Sequence, residues 1–242
     1  MRSNPMIRKG LSQTETFDMA QGVMTIKGTR NKALALLGVL VIAFIASWYA
    51  VVFTGVNPYT LSTVAAIAAL VLAFVTIFKP HLARTTSLLY VTFEGLFLGS
   101  ISLVFEVMYP GIVTPAVVLT FLAVLFTLLL YKEVPTLGQK IRKGVMIATF
   151  AVMAISVLGL VFSLFGVPFI FWGNGIMGIG FSLFVVGIAI MNLIVDYDNI
   201  YQGAQHGLPK HMEWFFAFGL MVTIIWLYTQ ILHLLGQIAS RD

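Results

Sequence analysis

The chain has 242 residues, of which 60% are hydrophobic and only 10% charged, with a formal net charge of +5 and no cysteine. Soluble domains carry roughly 25% charged residues, and a soluble fold of this size cannot bury so much apolar surface. The composition therefore calls for lipid as solvent, and it excludes a disulfide framework, thiolate metal sites and a cysteine nucleophile.

In chain order, residues 1–32 come first and form a polar, basic tail. They lack an apolar core leading to a small-residue cleavage site, so no signal peptide is expected. The tail reads as a solvated cytoplasmic segment, with a short amphipathic interfacial helix over Phe17–Ile26 as the sharper alternative. Seven apolar stretches follow, at about 33–55, 60–78, 85–108, 115–131, 144–166, 174–196 and 212–236. Each approaches or exceeds the ~20 residues a helix needs to cross the hydrocarbon core. Asn57-Pro58, Lys79-Pro80, Tyr109-Pro110-Gly111, Pro135 and Gly166-Val167-Pro168 punctuate them, because proline cannot donate the backbone hydrogen bond that continues a helix. Barrel strands would instead alternate over segments of about ten residues. The sequence predicts an all-α integral membrane protein, its seven-helix domain over 33–236 and a short external tail over 237–242.

The basic residues set the direction. Arg2, Arg8, Lys9, Lys27, Arg30, Lys32, Lys79, Arg84, Lys132, Lys140, Arg142, Lys143 and Lys210 fall on one side of a seven-span chain, and Arg241 alone falls on the other. By the positive-inside rule the N-terminus is cytoplasmic and the C-terminus is outside. This placement, and not nucleic acid, accounts for the net positive charge.

Charged groups at membrane depth are costly and mark function more often than not. Glu94, the tenth residue of the third span, lies about halfway through it, with no lysine or arginine at similar depth. A lone carboxyl there either takes up a proton or faces water or a polar partner. Gly95 and Gly99 follow in a G-x-x-x-G spacing that permits close helix approach, which turns Glu94 toward the bundle. Asp196 and Asp198 close the sixth span at the basic side and Glu213 opens the seventh. Together they read either as a cation site or pH-sensitive latch, or as ordinary interfacial acids; oxygen ligands suit calcium at Asp196 and Asp198. Gly173, Gly180 and Gly187 recur every seven residues and predict a close-packing face. At 100° per residue Asp198 falls on that face and Asp196 nearly opposite, so a regular helix is expected to leave one of them solvated.

Other chemistries fail. Asp196-Tyr197-Asp198-Asn199 starts like a calcium loop, but Tyr201 and Gly207 stand where its glycine and closing acid belong. His206, His211 and His233 lack metal-like company, and no hydrolase or phosphate-loop motif occurs. An enzyme is not expected, and an intramembrane hydrolase has no nucleophile–base pair to rest on. Trp48, Trp172 and Trp214 fit an aromatic belt.

Two segments carry a resemblance. One is Tyr90-Val-Thr-Phe-Glu94-Gly95-Leu-Phe-Leu-Gly99-Ser100-Ile-Ser102. The other runs from Asp196-Tyr-Asp198-Asn-Ile200-Tyr-Gln-Gly203 through Pro209, Glu213-Trp214, Ala217-Phe218-Gly219-Leu220 and Thr223 to Trp226-Leu227-Tyr228. With the span count, they resemble the bacterial branch of the Bax inhibitor-1 family. The resemblance implies a fold in which the last helix is central. It implies a pH-sensitive calcium leak, as in characterised relatives, with an aspartate pair between the sixth and seventh helices as sensor and an arginine near the cytoplasmic side. Asp196 matches the sixth-helix aspartate, because Asp-x-x-x-Ile follows the family pattern. Thr223 stands where the seventh-helix aspartate belongs, so Glu213 or Glu94 would have to substitute. Arg84 is the candidate for the arginine. Other bacterial members resemble regulators of membrane proteases, and this gives the alternative reading: a partner-binding regulator of proteostasis that transports nothing.

Overall fold

The computed structural model describes residues 22–241 apart from Pro135 and Pro168. Seven helices follow in order: α1 (Ile26–Thr54), α2 (Pro58–Phe78), α3 (Ala83–Met108), α4 (Val113–Glu133), α5 (Leu137–Leu164), α6 (Ile176–Gln205) and α7 (Met212–Ala239). All seven are long and apolar enough to cross a membrane. Among the described residues there is no strand, only a single bridge between Val23 and Pro209. Two short 3-10 turns, Pro80–Leu82 and Ile170–Trp172, lead into α3 and α6.

The helices outrun the apolar stretches at the basic side. Ile26 to Lys32 are helical although polar, because the Thr25 hydroxyl accepts the Gly28 N–H at 2.9 Å and caps α1. α5 begins at Leu137 and takes in Lys140, Arg142 and Lys143. α6 continues to Gln205, so Asp196 and Asp198 lie well inside a regular helix and do not end it. Hydropathy marks where the lipid stops; helix ends are set by caps and by tertiary partners. The interfacial helix expected over Phe17–Ile26 lies mostly outside the described residues. Met24, just before α1, is buried and bonded to the loop ahead of α7: its N–H donates to Leu208 O at 2.7 Å.

α7 is central. It packs against α1, α3, α4 and α6, while α2 rests on α3 and α5 chiefly on α6. Ala217, Met221, Leu227 and Leu232 of α7 are fully enclosed. The G-x-x-x-G of α3 works as expected: a Cβ on Gly95 or Gly99 would stand 2.5 Å from Leu40 O or Phe44 O of α1. Only hydrogen atoms fit between these backbones. The other glycine stripe does not close-pack. Gly173 precedes α6, and Gly180 and Gly187 have open space where a side chain would go. The tight position of α6 is Gly178, whose Cβ would strike Gly173 O at 1.8 Å. Seven-residue spacing puts glycines on one face, but only a neighbouring helix makes that face an interface.

Candidate functional site

The starts of α1, α5 and α7 and the ends of α4 and α6 share one face of the bundle, and three of the four candidate acids lie there. Asp196 faces α7. The Thr223 hydroxyl donates to Asp196 Oδ2 at 2.5 Å, so the residue aligned with the missing seventh-helix aspartate does touch the sixth-helix one. One turn back along α6, the Asn192 amide donates to Thr149 Oγ1 of α5 at 2.8 Å and to Ile188 O at 3.0 Å.

Asp198 faces α5. It is completely buried, and Arg142 Nη2 donates to its Oδ2 at 2.7 Å. Gly138 makes room for the pair, since a Cβ there would lie 2.5 Å from Asp198 Cβ. Three further buried polar atoms gather at this point: Asp198 Oδ1, Arg142 Nε and the Tyr131 hydroxyl at the end of α4, a hydrogen-bonding neighbour of Asp198. Removing one member of a buried ion pair strands the other, typically at about 3–5 kcal/mol.

Asp198 is the fully enclosed aspartate and Asp196 the partly exposed one, and each has a protein partner. α6 is covered on two sides near its end, by α5 and by α7, so residues on opposite faces of one regular helix both point into protein. The same divergence separates the two carboxylates that were candidates for a shared calcium site, and among the described residues no three acids or histidines converge. Arg84 is exposed on the first turn of α3 and makes no ion pair among the described residues. The arginine that meets an acid is Arg142. Nothing in the sequence ties it to Asp198, 56 positions later.

Glu213 is buried and fully committed. The Thr25 N–H and hydroxyl donate to Glu213 Oε1 at 2.9 and 3.0 Å, and Lys32 binds Glu213 Oε2. Gly28 lets α1 come this close, and the Lys32 ammonium lies 5.4 Å from the Trp214 ring centroid. Glu94 lies at mid-α3, half-buried, with the Tyr90 hydroxyl one turn back as its hydrogen-bonding neighbour. Glu106, which sequence reading passed over, accepts the N–H groups of Gly111 and Val113 at 2.7 and 3.1 Å and caps the start of α4.

The acids thus bring different helices together in succession. Asp198 joins α6 to α5, Asp196 joins α6 to α7, and Glu213 joins α7 to α1. Two cavities among the described residues are lined by none of the candidate acids. One, of about 290 Å³, is an apolar crevice between α1 and α4. The other, of about 400 Å³, lies toward the opposite face and holds Ser156, Ser182, Gln230 and His233 under Phe171, Trp172 and Phe181.

The family model described as Bax inhibitor 1 like matches residues 4–240. The chain belongs to this family. No curated protein and no solved structure matches it. Like the resemblance read from the third, sixth and seventh spans, the family match covers nearly the whole chain, and with seven apolar helices it makes this Bax inhibitor 1 like protein an integral membrane protein.

Proposed function

We propose that this protein is a pH-sensitive cation leak, with calcium as the transported ion, and that the structure corresponds to its closed arrangement. The observation that carries this reading is the Asp196–Thr223 contact. It places a titratable carboxyl on the interface of the two most enclosed helices, with no cation in ion-pair distance among the described residues. An ionised Asp196 only accepts hydrogen bonds; a protonated one also donates, so its charge state changes what holds α6 to α7. Passage of a cation requires the helices to part there, and Asp196, with Glu94 deeper in the bundle, then supplies oxygen ligands. Glu213 and Arg142 hold the frame. In the cell we place it in the bacterial inner membrane, N-terminus in the cytoplasm and C-terminus outside, acting without catalysis or a bound cofactor.

Calcium flux into liposomes, measured from pH 5 to pH 8, tests this. Flux that depends on the protein and on pH, and loses its pH dependence in Asp196→Asn, supports it. Equal flux with and without protein at every pH overturns it.

A second reading has its own support: the candidate acids all have hydrogen-bonding partners, and the main cavities pass them by. A solid core fits a regulator that binds a membrane protease. The open face of α6 around Gly180 and Gly187, flanked by exposed Met177, Leu183 and Phe184, offers a surface for a partner helix. Co-purification with a membrane protease, lost on deletion of residues 1–21 and with zero liposome flux, would favour this reading.

A further inference from the structure

We infer that the crevice between α1 and α4 is a binding site for one anionic phospholipid, with an acyl chain in the crevice and the headgroup phosphate on Arg30. α1 and α4 each pack on α7 rather than on one another, so a gap of about 290 Å³ remains between them. Its walls are Leu34 and Leu37 of α1 and Val124 and Leu128 of α4, over a floor that includes Met221 and Ile224 of α7. The volume approaches the lower end of small-molecule sites. It opens sideways, level with exposed apolar side chains such as Leu34, so bilayer lipid reaches it without crossing protein.

What distinguishes the crevice from ordinary lipid-facing surface is its charged end. Arg30 lines it, is exposed, and makes no ion pair among the described residues. Lys27 lies one turn earlier on α1, and Lys132 follows crevice-lining Tyr131 on α4. No acid lines the crevice. Basic pockets between transmembrane helices select anionic headgroups, and a guanidinium presents paired donors to a phosphate. Tyr201, also at the rim and partly exposed, is of the type that sits at the headgroup level. The floor also includes Tyr197, the residue between Asp196 and Asp198, so a bound lipid rests against the helix that carries both acids.

The test is native mass spectrometry of the full chain released from nanodiscs of equimolar phosphatidylglycerol and phosphatidylcholine. Wild type is expected to retain one phosphatidylglycerol in preference to phosphatidylcholine. Arg30→Gln is expected to lower that preference about fivefold, the effect of one basic group at a headgroup, and Arg30→Lys to keep most of it. Leu128→Trp, which fills the crevice without changing charge, should lose the retained lipid. Lys79→Gln, on the same basic face but in the α2–α3 loop, should behave as wild type. Equal retention of the two lipids by wild type overturns the inference. So does an Arg30→Gln variant, shown folded by an unchanged melting temperature, that keeps the preference, or a Lys79→Gln variant that loses it equally. Closure of the crevice by a second copy of the chain, seen as a dimer without lipid, also overturns it. None of these readouts involves ion flux, so the result stands apart from the leak reading.

Discussion

Thr223 of α7 donates its hydroxyl hydrogen to Asp196 Oδ2 of α6 at 2.5 Å, where the family resemblance leads one to expect a second aspartate. A threonine cannot share a proton between two carboxylates or repel one. The contact therefore has one titrating member, and its response to pH is that of a single, partly buried group. Thr223→Val keeps the shape but leaves Asp196 without its donor, and should cost about 1–3 kcal/mol of stability. Thr223→Asp recreates a carboxylate pair, and should move the pH midpoint of liposome calcium flux by about one unit or more. A Thr223→Asp variant whose pH profile matches wild type would show that the contact does not control flux.

The Arg142–Asp198 pair should behave as a buried ion pair. Arg142→Gln strands a completely enclosed carboxylate, and the loss should reach about 3–5 kcal/mol. Asp198→Asn should cost less, because Arg142 is partly exposed and can be solvated. The double variant should recover part of the Arg142→Gln loss, giving a coupling energy of about 0.5–3 kcal/mol in a double-mutant cycle of thermal or denaturant unfolding. Additive losses would mean that the pair is not coupled.

Glycine substitutions separate close-packed positions from open ones. Gly138→Ala puts a methyl group 2.5 Å from Asp198 Cβ, and Gly99→Ala puts one 2.5 Å from Phe44 O. Each should destabilise by about 1–3 kcal/mol through overpacking. Gly144, on the same helix as Gly138, has open space around it, as does Gly180. Alanine at either should be neutral or stabilising by up to about 1 kcal/mol, from helix propensity alone. Melting temperatures in one detergent check the series.

Glu213 ties the segment before α1 to the start of α7. Glu213→Gln removes the charge that binds Lys32 and weakens the two Thr25 hydrogen bonds. Amide exchange at Met24 and Thr25 should then quicken by about tenfold, while the α3 backbone beside α1 stays protected. Unchanged exchange at Met24 would show that the bond from its N–H to Leu208 O holds the segment unaided.

The seven crossings and the close approach at Gly95 and Gly99 were legible in the order of residues. Hydropathy, charge bias and side-chain size act locally, and a membrane imposes one period and one length on every span. The partners of the acids were not legible. Arg142 rather than Arg84 meets an aspartate, Lys32 neutralises Glu213 from 181 positions away, and both Asp196 and Asp198 are turned into protein. A helix has one inward face only if one neighbour covers it. α6 has α5 and α7 on different sides, and which side chains meet there depends on how separate helices cross, which no local pattern in the chain records.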